Sequence, residues 1–135
     1  MITIAPACRI LVAEPHESIR ADLCEVLGQL GHHPEMVESR DQVLGCLAKE
    51  SYAMVLLSTD MCEDNMADLL REVEQRYPRV AIVIMDSSPS VSSVREALRL
   101  GARDYLIKPF GLEELVAAVE RASRNVHDAA PNQTK

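Results

Sequence analysis

Residues 80–86, Val-Ala-Ile-Val-Ile-Met-Asp, decide the fold of this 135-residue chain. Six apolar residues stand in a row and four of them are β-branched, which is typical of a strand buried on both faces. Helices must then cover both sides of the sheet to which this strand belongs. The stretch therefore predicts an α/β protein with a parallel sheet at its centre.

Apolar runs of the same kind recur along the chain, and segments with helical spacing of apolar residues follow them. The five predicted strands are residues 9–13, 35–38, 53–57, 80–85 and 104–107. Parallel strands that alternate with helices are joined by right-handed crossovers. The pattern thus predicts one domain of five strands and five helices.

Capping and turn residues mark the predicted helix ends. Gly31 and Gly101 supply left-handed residues after the first and fourth helices, and Ser39-Arg-Asp-Gln42 matches a capping box. Ser88-Pro89 is expected to give the fourth helix its cap and its first-turn proline. The fourth helix is predicted to bury Val91, Val94 and Leu98. The fifth helix is predicted to bury Leu112, Leu115, Val116 and Val119.

The composition and net charge of the chain exclude some classes of function. Hydrophobic residues make up 47% of the chain and charged residues 26%, which suits a single packed core. The net charge of −7 opposes binding to the phosphates of nucleic acids. We therefore expect no direct nucleic-acid contact by this domain.

The apolar runs and the N-terminal residues indicate where in the cell the protein is expected. No apolar run is long enough to span a membrane, and the initial Met-Ile-Thr-Ile-Ala-Pro lacks the features of a signal peptide. We expect a cytoplasmic protein with no membrane partner. Residues 1–7 are predicted to be a tail, residues 8–126 the domain, and residues 127–135 a tail or the start of a linker.

The cysteines do not have the spacing of a metal site. No Cys-x-x-Cys pair occurs among Cys8, Cys24, Cys46 and Cys62, and no Cys/His pair stands at zinc spacing. Cysteines of this kind serve as small apolar side chains. The sequence thus predicts no metal cluster.

The candidate site lies where the strands end. In parallel sheets of this type, ligands and reactive groups meet at the carboxyl ends of the strands, beside the switch in strand order. Four short segments follow strands there: Glu14-Pro15-His16, Ser58-Thr59-Asp60, Asp86-Ser87 and Lys108-Pro109.

Two stretches carry a family resemblance: Arg9-Ile-Leu-Val12, and residues 98–110, Leu-Arg-Leu-Gly-Ala-Arg-Asp-Tyr-Leu-Ile-Lys-Pro-Phe, followed by Leu-Glu-Glu-Leu at 112–115. Over about residues 8–124 the chain resembles the receiver domain of two-component response regulators. The resemblance implies a flavodoxin-like (βα)5 fold, a doubly wound five-stranded parallel sheet with strand order 2-1-3-4-5. It also implies a regulatory module of a phosphorelay rather than an enzyme.

In that family a histidine kinase donates a phosphoryl group to an aspartate at the end of the third strand, and two acids help to hold Mg²⁺. The resemblance places Lys108 at the position of the lysine that holds the product. It places Tyr105 at the aromatic position whose rotamer reports the modified state. It further implies a cis peptide bond at Lys108-Pro109.

Three reactive positions differ from the family pattern. Ser58 stands at the phosphoacceptor position, and a serine hydroxyl is a poor nucleophile without an adjacent base. Pro15 replaces the second acid, and Asp86 stands where a Ser or Thr normally binds the phosphoryl group. Glu14 keeps the first acidic position with a longer side chain, and the resemblance implies that it is at most a weak metal ligand. The sequence thus predicts a degenerate receiver, or pseudo-receiver, with weak or absent Mg²⁺ binding.

Lys108 is expected to bridge Glu14 and Asp86, since buried carboxylates need a counter-ion. Two alternatives stay open: a working receiver that uses Asp60 or a modified Ser58 as acceptor, and a small-molecule binder on the same fold. For the latter, the acids at 14–17 do not suit a phosphate loop.

Protein partners are expected to include a histidine kinase or an output domain. A homodimer is predicted through the face of the fourth helix, fifth strand and fifth helix, where mixed charges suit reciprocal pairing across a two-fold axis. The candidate interface residues are Arg95, Arg99, Arg103, Asp104, Glu113, Glu114, Glu120 and Arg121. The alternative is that these are ordinary solvated charges.

Overall fold

The structure is a computed structural model that describes residues 7–61 and 66–132, with side chains described as far as residue 124. The strands are β1 (Arg9–Ala13), β2 (His33–Val37), β3 (Met54–Ser58), β4 (Ala81–Asp86) and β5 (Asp104–Ile107). The helices are α1 (Glu17–Gln29), α2 (Arg40–Lys49), α3 (Met66–Arg76), α4 (Val91–Arg99) and α5 (Leu112–Asn132). A 3₁₀ turn, Thr59–Met61, follows β3.

The five strands form one parallel sheet in the order β2-β1-β3-β4-β5, which confirms the predicted flavodoxin-like α/β fold. Ala13, the last residue of β1, lies between Val37 of β2 and Leu57 of β3. The chain therefore passes from β1 to β2 at one edge of the sheet and then returns to form β3 on the opposite side of β1. This reversal creates a crevice at the carboxyl ends of β1 and β3.

The core has two layers because alternate residues of a strand point to opposite faces of the sheet. Leu11, Val55 and Ile84 pack on the face covered by α2, α3 and α4. Val12, Leu56 and Val83 pack on the face covered by α1 and α5. Every residue of β3 and β4 is buried, as the apolar run at 80–85 predicts.

Several predicted helix ends are confirmed. Gly31 and Gly101 adopt φ values of 94° and 113° after α1 and α4, and the Ser39 hydroxyl accepts a hydrogen bond from the backbone N–H of Gln42. The Gln42 side chain accepts from the N–H of Glu38, 2.7 Å away, rather than from Ser39.

The predicted start of α4 is wrong by two residues. Ser90, not Ser88, is the N-cap, and it forms a reciprocal capping box with Ser93. The N–H of Ser88 instead donates to the Asp86 carboxylate at 3.0 Å. This bond keeps Ser88-Pro89 in the loop, so the proline precedes the helix.

Three side chains predicted to turn inward are exposed. Val91, Leu98 and Leu112 have exposed fractions of 75%, 47% and 57%, and α4 buries Ala97 instead. The reason is the position of α4 and the start of α5 beside β5, which is an edge strand and offers less sheet surface to cover them. Leu115 and Val119 are buried as predicted.

The last helix extends past residue 126, the predicted boundary of the domain. It continues to Asn132, so residues 127–132, predicted to belong to a tail or linker, are helical in backbone conformation. Ala129 and Ala130 lie in this stretch, and alanine is the best helix former. Within the described part of the chain, no helix has the length and apolar character needed to cross a bilayer. Residues 1–6 of the predicted N-terminal tail and Cys62 lie outside the described residues.

Candidate functional site

Four strands deliver one functional side chain each to the same edge of the sheet. Glu14 follows β1, Ser58 ends β3, Asp86 ends β4 and Lys108 follows β5. Glu14 and Ser58 have no exposed surface, and Asp86 is 7% exposed. Parallel pairing brings these ends together, so the predicted site residues do lie at one place.

Lys108 is the centre of the first cluster. Its Nζ lies 2.7 Å from Oε1 of Glu14 and donates to Oγ of Ser58 at 3.0 Å. The lysine side chain is 11% exposed, and the glutamate is fully buried. A buried ion pair with an added hydrogen bond satisfies groups that would be costly to bury alone.

Both the side chain and the main chain of Glu14 are hydrogen-bonded. Its Oε2 accepts the backbone N–H of His16 at 3.0 Å, and Nη1 of Arg20 donates to its main-chain oxygen at 2.8 Å. The longer side chain at this position reaches across to Lys108 while it also caps the turn into α1. Both carboxylate oxygens are therefore engaged.

Asp86 forms a second cluster, and here the prediction that Lys108 bridges both acids is wrong. Oδ1 of Asp86 accepts from the Thr59 hydroxyl at 3.1 Å and from the N–H of Ser88 at 3.0 Å. Its Oδ2 accepts a short hydrogen bond from the hydroxyl of Tyr105. These neutral donors satisfy the carboxylate, so Lys108 is left to pair with Glu14.

The hydrogen bonds at Asp86 shift two pKa values in opposite directions. Burial acts to raise the pKa of Asp86, but the bonds from Tyr105, Ser88 and Thr59, with the nearby charge of Lys108, outweigh it and hold the pKa below its usual value. Burial, together with the bond to this carboxylate, raises the pKa of Tyr105 to about 12. Asp86 is thus charged and Tyr105 protonated at neutral pH.

Asp60 lies in the 3₁₀ turn after β3, in the loop position that the sequence predicts. It is not simply solvated, because its Oδ2 lies 3.3 Å from Nε2 of His16 and 3.7 Å from Nζ of Lys108. Its N–H donates to Oγ of Ser58 at 3.2 Å. The side chain is 42% exposed.

Among the described residues, Glu14, His16 and Asp60 place possible metal-ligand atoms within 4.8 Å of one another. This grouping has no sequence motif, and the prediction of no metal cluster did not include it, because its residues come from two loops. The group does not fit the Mg²⁺ of the family. Mg²⁺ needs free oxygen ligands, whereas both oxygens of Glu14 are bonded, Pro15 offers no side-chain ligand and the cation of Lys108 lies alongside.

Several candidate interface residues already have partners within the chain, among them Glu114, whose Oε1 accepts the N–H of Gly111 at 2.7 Å. Nε of Arg121 on α5 contacts Oδ2 of Asp104 on β5 at 2.8 Å, and Arg99 pairs with Glu96 one turn earlier on α4 at 3.0 Å. Arg95, Glu113 and Glu114 are exposed, and Arg103 and Glu120 are half-buried. The two pairs agree with solvated charge and leave the dimer a prediction.

Sequence reasoning missed the roles of Thr59, Ser88, His16 and Arg20. Thr59 and Ser88 bond to Asp86, while His16 and Arg20 bond to Glu14. For Thr59, Ser88 and His16 the available signal was their position in the loops that follow the strands, since these loops face the same crevice. Arg20 lies inside α1 and had no such signal. The predicted cis peptide bond at Lys108-Pro109 is present.

The strand order and the polar cluster at the switch point define a doubly wound α/β protein with a site at the carboxyl edge of its sheet. The sequence model of the response regulator receiver domain matches residues 10–120. The chain belongs to that family and is a receiver domain of two-component signalling.

Individual relatives agree with this assignment. The chain is 32% identical over 115 residues to the response regulator protein FleR of Pseudomonas aeruginosa, covering 85% of this chain and 24% of FleR. It is 33% identical over 113 residues to the DNA-binding transcriptional regulator NtrC of Salmonella typhimurium, with coverages of 84% and 24%. The chain thus spans about a quarter of the length of these relatives.

Solved structures support the fold. NtrX from Brucella abortus, in a complex with ADP, matches with a TM-score of 0.86 at 23% identity over 96% of this chain and 29% of NtrX. A CheY-like receiver domain protein from Methanospirillum hungatei matches with a TM-score of 0.84 at 17% identity, over 92% of this chain and 99% of that protein.

Proposed function

We propose that this chain is a receiver-type regulatory module that acts through protein contacts without phosphorylation of an aspartate. The observation that carries the proposal is the contact of Lys108 with Glu14 at 2.7 Å and with Ser58 at 3.0 Å. In this arrangement a serine occupies the acceptor position, is fully buried and already accepts a hydrogen bond from the lysine. The cation therefore stabilises the resting site.

The second cluster supports the same proposal. Asp86 places a negative charge where an incoming phosphoryl group would need a hydroxyl, and the two anions would repel each other. The same carboxylate holds the hydroxyl of Tyr105. The Asp86 carboxylate thereby keeps the Tyr105 side chain in one orientation, so the module has a single signalling conformation that does not depend on phosphorylation.

The proposed partners are proteins, either a histidine kinase or an output domain, and a second copy of this chain through α4, β5 and α5. NtrC relatives are named DNA-binding transcriptional regulators, and we propose that any DNA contact belongs to an output domain. We further propose that the module is not an enzyme, that it needs no Mg²⁺ and that it resides in the cytoplasm.

One alternative has a specific observation in its favour. The Asp60 carboxylate lies 3.7 Å from Nζ of Lys108 and is 42% exposed, so it is accessible and has a cation beside it. In this reading an oxygen of Asp60 attacks the phosphorus of a donor such as acetyl phosphate, an acyl phosphate forms and acetate leaves. A modified Ser58 would need the buried hydroxyl to become accessible.

Intact-mass spectrometry after incubation with Mg²⁺ and acetyl phosphate tests the proposal, with an established phosphorylatable receiver as control. We expect no phosphoryl adduct on this chain while the control is modified. An acid-stable, base-labile adduct that disappears in Asp60→Asn would overturn the proposal and identify Asp60 as the acceptor. An adduct that disappears only in Ser58→Ala would overturn it in favour of a phosphoserine.

A further inference from the structure

A cavity of about 570 Å³ lies next to the site, between α1 and the segment that follows β5. Its volume falls within the range of roughly 300–1,000 Å³ that small-molecule sites occupy. The cavity opens at the carboxyl edge of the sheet, where Asp60 and Lys108 form part of its rim. His16, Asp60 and Lys108 line one end of the cavity, and its other walls belong to neither cluster described above.

The walls of the cavity are apolar. Ile19, Leu23 and Val26 line it from α1, and Phe110 and Leu115 line it from the opposite side. Leu23 and Leu115 are buried at its base, with exposed fractions of 6% and 3%. Leu112 also lines the cavity, which gives a role to a leucine that the fold leaves exposed.

The polar lining is confined to a few side chains and is negative in sum. These side chains are His16, Asp22, Asp60, Ser87 and Lys108. Glu14 and Asp60 share the positive charge of Lys108, at 2.7 Å and 3.7 Å from its Nζ. Asp22 is a further exposed carboxylate, so three carboxylates face one lysine. An anionic headgroup would meet both aspartates, but a cationic headgroup would be attracted to them.

We propose that this cavity binds a small amphipathic cation, an organic amine whose apolar body packs between α1 and α5 and whose ammonium group faces Asp60 and Asp22. Apolar walls with a few polar groups at one end are the usual form of a small-molecule site. The proposal is independent of whether any residue is phosphorylated. It gives the small-molecule alternative a defined place and a ligand charge opposite to that of a phosphate.

An NMR titration of the ¹⁵N-labelled chain with n-octylammonium tests the proposal, with octanoate and n-butylammonium as matched probes. We expect octylammonium to shift the amides of residues 19–26 and 110–115 in a saturable manner. Octanoate should bind at least about tenfold more weakly, because it reverses the charge of the headgroup. Affinity should rise about fourfold for each methylene that becomes buried, so butylammonium should bind weakly.

Substitutions separate this site from general association of an apolar amine with the surface. Asp60→Asn should weaken octylammonium binding several-fold and reduce its advantage over octanoate, whereas Asp68→Asn, at an exposed acid on α3, should change neither. Ile19→Trp should fill the cavity and abolish saturation, whereas Val91→Trp on α4 should not.

Three results would overturn the proposal. Equal affinity for octylammonium and octanoate would remove the charge argument, and shifts centred on Val91 and Leu98 would place binding on α4. Binding of a basic apolar peptide without any binding of octylammonium would make this face a protein-docking surface. None of these results bears on the phosphorylation test, so the two proposals fail separately.

Discussion

Lys108 and Glu14 form the most deeply buried ion pair among the described residues. Lys108→Met should lower the free energy of unfolding by about 3–5 kcal/mol near neutral pH, since it leaves the glutamate charge buried without a partner. The double variant Glu14→Met/Lys108→Met should be less destabilised than the sum of the single variants, because neither charge then remains.

Urea unfolding of the parent protein, the two single variants and the double variant measures the coupling energy between Glu14 and Lys108. The matched control is Lys49→Met, at an exposed lysine of α2. That variant should unfold like the parent protein. If Lys108→Met were as stable as Lys49→Met, the lysine would not stabilise the site.

The bond between Tyr105 and Asp86 should be visible in tyrosine ionisation. Because burial and this bond raise the pKa of Tyr105 to about 12, its phenol should remain protonated at about pH 10.5, where an ordinary tyrosine is mostly ionised. Asp86→Asn removes the adjacent negative charge and should lower this pKa toward the ordinary value.

NMR of chains labelled at the tyrosine ring carbon follows the ionisation, and Tyr105→Phe assigns the signal. An unchanged Tyr105 titration in Asp86→Asn would show that the carboxylate does not control this side chain.

His32 makes folding stability depend on pH. Burial, with a smaller contribution from His33, lowers the pKa of His32 below 6.5, and its Nδ1 accepts the N–H of Cys8 at 3.1 Å. The unfolded chain then binds a proton more readily than the folded chain. Stability from this group is complete above about pH 6.5 and is lost as the pH falls through the folded-state pKa.

Urea unfolding at about pH 7.5 and pH 5.5 measures this loss. His32→Asn keeps an acceptor but cannot titrate in this range, so the decrease between the two pH values should shrink. His33→Asn, at an exposed neighbour, should retain most of it. Equal behaviour of the two variants would contradict the assignment to His32.

At the scale of the elements, Gly101 and Gly45 differ in backbone conformation and in the space around them, so alanine substitutions at the two positions should have opposite effects on stability. Gly101 ends α4 at φ 113°, and an added Cβ would lie 2.6 Å from Oε1 of Glu74 on α3. Gly45 lies inside α2 with no atom near its Cβ position. Gly101→Ala should therefore destabilise the protein, and Gly45→Ala should stabilise it by about 0.5–1 kcal/mol.

Thermal unfolding of both variants measures the difference. The expected result is a lower melting temperature for Gly101→Ala and a higher one for Gly45→Ala. A Gly101→Ala variant as stable as the parent would mean that the end of α4 tolerates another conformation.

At the scale of the whole molecule, the proposed dimer through α4, β5 and α5 predicts self-association that depends on charge. Arg99→Glu reverses one charge on this face and should shift the protein toward the monomer. Arg71→Glu on α3 is the matched control, since Arg71 also pairs with an acid three residues earlier. Concentration-dependent light scattering distinguishes them, and a parent protein that stays monomeric at high concentration would end the dimer proposal.

Much of the architecture could be predicted from the sequence because local pattern and tertiary role agree there. Residues 81–85 of the apolar run are all buried and Val80 is partly buried, and the glycines after α1 and α4 adopt the expected positive φ. Helix faces were harder to predict at the edge of the sheet. Val91 and Leu98 have the spacing of core residues, but burial depends on how much sheet lies beneath the helix.

The five-stranded α/β fold and the set of side chains at the carboxyl edge could be read from the residues alone, because hydrophobic periodicity is local and strand order follows from family membership. How those side chains pair depends on their packing in three dimensions. Lys108 binds Glu14 rather than Asp86 because Thr59, Ser88 and Tyr105 satisfy Asp86 first. The cavity beside the site likewise depends on the separation of α1 from α5, which arises from packing and has no signal in the order of residues.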